Sequence, residues 1–397
     1  MANKKLRICF VSDFFYPQFG GVETHIFCLS QQLIKMGHKV IVITGNIFKR
    51  RQGVRYMANG LKVYYLPMKR FYEHRIVGLV AVSGLPYFRD IVLREKIEIV
   101  HTHQINSMLG MECILHAKLM GLTVLLTSHS LYSPGALSVI CSSYLYNSIY
   151  THLDHIICVS KTCKENFVVN SIFDHTKISV IPNGIDSTRF KPDPSKRPNP
   201  KKKINVICIG RFYKRKGIEL ITGVIPLICA KYKNAHFIIV GDGPKKILVE
   251  EMRKKNQLND RITIKPGIPF DKVRENLIEA HIFLNGSLTE SFCMANLEAM
   301  SCGLHVVTTN VGGIPEVNPD DQFTMCSPNI SSMESALSGV IDNFSVDEEK
   351  LHRIVGNRFN WQNVAERTLK TYVCAKSSTT APFLERIKKF SNRRLFS

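Results

Sequence analysis

Apolar residues in this chain fall into short runs separated by amphipathic stretches, and the alternation occurs twice. In the first half, Leu6–Ser12, Lys39–Thr44, Ile97–His101, Thr123–Ser128, His155–Val159 and Ile178–Ile181 are mostly continuous β-branched runs. Such runs predict strands buried on both faces, as in a parallel sheet. Val22–Met36, Met108–Met120 and Lys161–Asn170 mix polar and apolar positions at helical spacing and predict helices between them. Asp186–Lys203 then breaks the pattern with proline and lysine and almost no apolar residues, which is linker composition. The alternation restarts with strands at Ile204–Gly210, His236–Val240, Arg261–Ile264, His281–Asn285 and Leu304–Thr308. Helices are predicted between them at Gly217–Tyr232, Lys245–Asn256, Asp271–Ala280 and Ser291–Ser301.

Two doubly wound α/β domains of Rossmann type, facing each other across a cleft, are the simplest architecture for this pattern. The first spans residues 1–185, the linker 186–203 and the second 204–375, with the last helices, around Trp361–Tyr372, returning to the first domain. A basic tail, 376–397, is expected to be disordered.

Charge narrows the partners. The apolar fraction of 45% is ordinary, but a formal charge of +21 is not, and it calls for a polyanionic partner. Basic clusters lie at Lys196–Lys203, at Lys214–Lys216 and in the tail from Arg386 to Arg394, without RNA-motif aromatics or zinc-finger spacing. Phosphorylated ligands or an anionic membrane surface therefore fit better than nucleic acid. The twelve cysteines include no Cys-x-x-Cys pair and sit mostly in apolar runs, which predicts reduced, buried thiols. No signal peptide and no membrane-spanning run is expected, and the sequons at Asn285, Asn329 and Asn343 are read as accidental.

Ligands of open α/β sheets bind beyond the carboxyl ends of the strands, so the candidate chemistry is sought in those loops. Gly20 and Gly21 precede the first helix and permit close approach to a phosphate or sugar oxygen, although paired glycines also simply make turns. Arg211 and Lys216 lie in one strand-to-helix loop, where they could neutralise a diphosphate or form an ordinary solvated basic loop. Gly241 and Gly243 form a tight turn at a strand end, and Gly267 with Ile268 could offer backbone amides to a base. His129 ends a strand beside the expected cleft; His101 and His103 hold similar positions without an obvious partner. Glu290 and Glu298 bound the run Glu-Ser-Phe-Cys-Met-Ala-Asn-Leu-Glu. On a helix starting near Ser291 they would stand roughly 12 Å apart, a span suited to a nucleotide-sugar with hydroxyls at both ends. The competing reading is a half-buried helix with solvated carboxylates. No Asp-x-Asp, Walker loop or Gly-x-Ser-x-Gly elbow is present, so no metal is expected.

The ordered set Phe15-Tyr-Pro-Gln-Phe-Gly-Gly-Val-Glu-Thr-His, Val180-Ile-Pro-Asn-Gly-Ile-Asp, Gly210-Arg, Lys216-Gly, Gly241-Asp-Gly-Pro, Glu290 to Glu298 and Gly312-Gly-Ile-Pro-Glu resembles the GT4 family of retaining glycosyltransferases with the GT-B fold. Val11-Ser-Asp-Phe-Phe-Tyr-Pro, Lys62-Val-Tyr-Tyr-Leu-Pro, His155-Ile-Ile-Cys-Val-Ser, Leu288-Thr-Glu-Ser-Phe-Cys-Met-Ala and Trp361-Gln-Asn-Val-Ala-Glu-Arg-Thr carry a nearer likeness. It is to the PIG-A type, the catalytic subunits of phosphatidylinositol N-acetylglucosaminyltransferase. The resemblance implies UDP-GlcNAc as donor, phosphatidylinositol as acceptor and the first step of GPI-anchor synthesis. It further implies a multi-subunit complex at the cytoplasmic face of the endoplasmic reticulum membrane.

By the same resemblance, Glu290 would hold the donor-sugar hydroxyls and Glu298 the ribose. Arg211 and Lys216 would neutralise the diphosphate, Gly21 would back the reaction centre and His129 would touch the sugar. Gly20, Gly241, Gly243, Gly267, Ile268 and Phe292 would complete the donor site. Another GT4 enzyme, such as a lipid mannosyltransferase, shares the core motifs. A non-catalytic polyanion binder would explain the charge but not the acidic pair beside a basic loop.

Overall fold

The computed structural model describes residues 5–18, 20–45, 52–67, 70–72, 75–76, 81–132 and 146–377. The tail residues Arg386 to Arg394 lie outside them. By internal contacts the chain divides into two units, residues 1–182 with 361–397, and residues 183–360.

The first unit is built on β1 (Arg7–Ser12), β2 (Lys39–Gly45), β3 (Gly53–Tyr56), β4 (Lys62–Leu66), a short hairpin of β5 (Arg70–Tyr72) and β6 (Arg75–Ile76), then β7 (Ile99–His103), β8 (Thr123–Ser128), β9 (His155–Cys158) and β10 (Ile178–Val180). Its main sheet has the order β10-β9-β8-β7-β1-β2-β4-β3. Every pairing is parallel except β3 on β4. Central strands are buried throughout: all six residues of β8 and all five of β7 are inaccessible. That is why neither shows the polar–apolar alternation of a half-exposed strand. Asp13, just past β1, accepts the amides of Met108 (2.8 Å) and Leu109 (3.3 Å), and Ser107 caps Gly110 at 3.0 Å. Together they start the helix Met108–Leu119 where three amides would otherwise be unsatisfied.

The second unit carries β11 (Ile204–Ile209), β12 (Ala235–Val240), β13 (Ile262–Lys265), β14 (Ile282–Asn285), β15 (His305–Thr309) and β16 (Thr324–Cys326). They form an all-parallel sheet ordered β13-β12-β11-β14-β15-β16. The winding reverses between β11 and β14, and in the first unit between β1 and β7, which places a topological switch point in each.

Several expectations need correcting. The helix expected from Ser291 begins at Met294, because Cys293 adopts a left-handed φ of 64° that cannot continue a helix backwards. Glu290 thus lies in a loop, and the ~12 Å helical span between the glutamates does not apply. The helix expected over Asp271–Ala280 shortens to Val273–Leu277 after a 3₁₀ turn. The segment 186–203, expected to be linker, is fastened to the second unit. Its Phe190 is buried, and the carbonyl of that residue accepts from Ser301 Oγ at 2.8 Å. Arg197, with a side chain only 5% exposed, pairs with Glu348 and donates to the carbonyls of Cys302 and Gly303. Composition could not reveal that one buried arginine anchors it. The final helix, Trp361–Ser377, packs on the helix Gly21–Lys35 and on β8, and Lys376 within it pairs with Glu98 at 2.9 Å. No helix among the described residues is long and apolar enough to cross a membrane.

Candidate active site

In the second unit, the loops after β11 and β14 meet at the switch point. They approach so closely that only glycine fits. A Cβ on Gly217, whose φ is 64°, would lie 1.7 Å from the carbonyl oxygen of Gly286. Leu288 N donates to Arg215 O at 2.9 Å across the same seam. This contact carries Lys216 onto Glu290, and the two form an ion pair. Ser287 Oγ donates to the same carboxylate at 3.0 Å. Burial opposes the Glu290 charge, but Lys216, with Arg215 and Ser287, outweighs it and lowers the carboxyl pKa. Glu290 is thus held as an anion with a cation at its side. Its carbonyl accepts from Gly313 N at 2.9 Å, which draws the Gly312-Gly-Ile-Pro-Glu motif to the same place.

The glycines after β12 serve a second close approach. A Cβ on Gly241 would lie 1.9 Å from Gly210 O, and one on Gly243 would lie 2.7 Å from Phe212 O. Their φ values of 154° and 152° also suit glycine. Phe212 N donates to Asp242 O at 2.9 Å, so this turn and the loop carrying Arg211 hold each other in shape. Asp242 in turn accepts from Gly267 N at 2.6 Å. Arg211 is exposed, and among the described residues its guanidinium makes no hydrogen bond or ion pair. Ile268 is half-buried. Phe292 is 2% exposed and sets its ring edge-on to Phe359, 6.1 Å between centroids, so the ring belongs to the core.

Glu298 sits within the helix Met294–Ser301, and burial raises its pKa to about 7 against the opposing charge of Arg189. The two glutamates are thus driven in opposite directions, one held charged and the other pushed towards its neutral form.

The first unit gathers histidines at its own switch point. His101 and His103 are the third and fifth residues of β7, and His129 follows β8. Both ring nitrogens of His101 are engaged, Nδ1 with Tyr372 Oη and Nε2 with Thr127 Oγ1, each at 2.7 Å. His103 Nδ1 lies 3.3 Å from His129 Nε2, and the rings are stacked 5.6 Å apart. His25, on the first helix, stands edge-on to His129 at 4.6 Å and to Trp361 at 5.3 Å. Burial, reinforced by the neighbouring imidazoles, depresses the pKa of His101, His103 and His129 well below the ordinary value, so all three are neutral at pH 7. Gly20 and Gly21 open that first helix; a Cβ on Gly20 would meet the Glu23 carboxylate at 2.6 Å.

Sequence reasoning missed Ser287, Arg215 and Asp242. Ser287 was visible only as part of the Asn285 sequon. The structure spends Asn285 internally: its Nδ2 donates to Asn296 Oδ1 at 2.9 Å, and its Oδ1 accepts from Ser287 N and Oγ at 3.1 and 2.8 Å. His25 and Trp361 were visible only within family motifs and Tyr372 only as the end of the returning helix; that they meet the histidines of β7 and His129 was not, since a cluster drawn from four separate segments has no spacing to read.

Residues 190–361 match the family described as Glycosyl transferases group 1, and residues 46–135 match PIGA (GPI anchor biosynthesis). The fold is that of sucrose-phosphate synthase from Thermosynechococcus elongatus, with TM-score 0.80 and 18% identity over 94% of this chain and 100% of that one. Two parallel-sheet units with glycine-lined loops at the switch point of the second therefore define a GT-B glycosyltransferase. The relatives narrow the class. The corresponding phosphatidylinositol N-acetylglucosaminyltransferase subunit of Homo sapiens is 43% identical over 96% of this chain and 79% of its own length. Its counterpart in Arabidopsis thaliana is 44% identical over 97% of this chain and 86% of its own. The gpi3 subunit of the same enzyme in Schizosaccharomyces pombe is 43% identical over 96% of this chain and 83% of its own. The chain belongs to the PIG-A family of phosphatidylinositol N-acetylglucosaminyltransferase subunits.

Proposed function

We propose that this chain transfers N-acetylglucosamine from UDP-GlcNAc to phosphatidylinositol with retention at the anomeric carbon, the first step of GPI-anchor synthesis. It would act within a multi-subunit complex at the cytoplasmic face of the endoplasmic reticulum. Membership of the PIG-A family supports the reaction, and the word "subunit" in the relatives' names supports the complex. The observation that carries the chemistry is the Lys216–Glu290 pair at the β11/β14 switch point, with Arg211 exposed on the same loop.

In this reading the anionic Glu290 accepts hydrogen bonds from the donor-sugar hydroxyls. Lys216 and Arg211 stabilise the negative charge that grows on the departing diphosphate. Lys216 Nζ can serve the phosphate while remaining beside Glu290, because an ammonium group has three donors. Arg211 offers its planar fork without first leaving another partner among the described residues. Glu298 accepts from the ribose, and His129 contacts the sugar as a neutral imidazole. Charge stabilisation is supplied by side chains, so turnover needs no divalent metal. The acceptor is an anionic lipid, and the net charge of +21 suits an anionic membrane surface.

The test is donor selectivity. Binding of UDP-GlcNAc and of GDP-mannose to the purified complex is measured by calorimetry. Selective UDP-GlcNAc binding that is weakened by Glu298→Gln supports the reading. Preference for GDP-mannose would assign the chain to a mannosyltransferase instead.

A further inference from the structure

We propose that His25, His103 and His129 form a binding site for a borderline-soft divalent transition cation of the zinc class, within the first unit and separate from any metal requirement for turnover.

One ligating atom from each of the three side chains lies within 4.8 Å of the other two. Tetrahedral Zn²⁺ with imidazole at ~2.0–2.1 Å places its nitrogens ~3.3–3.4 Å apart, so side-chain movements of about 1 Å close the site. The histidines come from three different elements: the helix Gly21–Lys35, the end of β7 and the residue after β8. Their backbones are fixed by the sheet and by the helix packed on it, and His25 and His103 are 3% and 0% exposed.

A second observation points to a ligand. Nε2 of His103 is fully buried and has no hydrogen-bond partner among the described residues. A buried ring nitrogen left in that state costs roughly 1–3 kcal/mol, which a bound cation would recover. The neighbouring His101 supplies the contrast, because Tyr372 and Thr127 occupy both of its nitrogens and leave nothing for a metal. His101 is therefore a structural residue, whereas His103 keeps one ring nitrogen unengaged among the described residues and clusters with His25 and His129.

The donor set selects the ion. Three neutral imidazoles suit Zn²⁺, Cu²⁺ or Ni²⁺, whereas Mg²⁺ and Ca²⁺ require oxygen ligands that the cluster does not offer. Three protein ligands leave a fourth position for water or a substrate hydroxyl. A cation there would hold His129 and remove it from contact with a sugar. Occupancy should therefore inhibit transfer, and chelation should relieve the inhibition.

The test is Zn²⁺ binding to the purified complex, measured by competition with a chromophoric chelator, together with X-ray absorption at the zinc edge. The expected result is one high-affinity Zn²⁺ per chain, with three nitrogen ligands of imidazole type. His103→Gln should weaken it beyond the ~10–100-fold typical of losing an outer-shell partner. His175→Ala, an exposed histidine elsewhere in the unit, should leave it unchanged. If His103→Gln does not fold, His25→Gln and the ligand count of the unsubstituted protein still decide. No stoichiometric binding, fewer than three imidazoles, or unchanged affinity in a folded His103→Gln or His25→Gln variant would overturn the site. None of these readouts depends on which sugar is transferred.

Discussion

Lys216 and Arg211 sit on one loop but in different electrostatic situations, so removing them should have separable effects. Lys216 is 27% exposed and Glu290 10%, and the two form an ion pair. Breaking a fully buried pair costs about 3–5 kcal/mol, and an exposed one contributes ~0.2–1. Partial exposure puts Lys216→Ala at about 1–3 kcal/mol of stability. At ~2–4 °C per kcal/mol for a unit of this size, its melting transition falls by roughly 2–12 °C. Arg211 has no such partner among the described residues, so Arg211→Ala should change stability by less than about 0.5 kcal/mol. Both should lower turnover by ~10²-fold or more, the usual cost of losing one preorganised electrostatic donor. Lys216→Ala also removes the main attraction that keeps the Glu290 pKa low. The acid limb of its residual activity should therefore move to higher pH, while that of Arg211→Ala does not. The assays are scanning calorimetry and initial-rate pH profiles of GlcNAc transfer by the purified complex. Near-normal rates in both folded variants would remove the diphosphate assignment. An unchanged melting temperature in Lys216→Ala would show that the ion pair contributes nothing.

Glu290→Gln should chiefly lower kcat, since Glu290 grips the group being transferred. Glu298→Gln should chiefly weaken UDP-GlcNAc binding, because a ribose contact is alike in ground and transition states; steady-state kinetics giving the reverse pattern would reject this division. Burial raises Glu298 from an ordinary 4.5 to about 7, so its contribution to stability is fully present below about pH 4.5 and is lost as pH rises towards 7. Glu298→Gln should consequently gain stability relative to the unsubstituted protein across that window, as read by thermal melts at several pH values; a flat difference contradicts it. Transfer should survive EDTA, and an absolute Mn²⁺ or Mg²⁺ requirement, restored on re-addition, would sink the metal-free account. Salt-sensitive co-sedimentation with phosphatidylinositol vesicles is expected from the +21 charge, and removal of residues 378–397 should weaken it while sparing the Lys376–Glu98 pair. Equal binding to neutral vesicles at any salt would rule that out.

Much of this architecture could be read from the chain because buried parallel strands leave a simple trace. β7 and β8 are buried along their whole length, so neither alternates, and the run Val124–Leu126 announces β8. β3 escaped notice for the opposite reason: all four of its residues are exposed on a sheet edge, and it carries no apolar run. The loops after β11 and β14 could be located by their glycines and charges. Their pairing could not, because the Gly217–Gly286 approach that delivers Lys216 to Glu290 joins residues far apart in sequence. The Glu290–Glu298 spacing suggested one helix, and a single left-handed residue, Cys293, removed the first carboxylate from it. The histidine cluster is a product of topology alone, assembled where β7 and β8 end under the returning helix Trp361–Ser377. The Asn285 sequon was set aside for want of a route to the lumen; the hydrogen bonds that occupy its amide give a second, structural reason.

The most direct test of the central claim is product formation. The purified complex is supplied with labelled UDP-GlcNAc and phosphatidylinositol, in parallel with the same complex carrying Glu290→Gln. The account predicts a labelled, α-linked GlcNAc-phosphatidylinositol from the unsubstituted protein and at least ~10²-fold less from the variant. A β-linked product, label transferred only from GDP-mannose, or full activity in Glu290→Gln would contradict it.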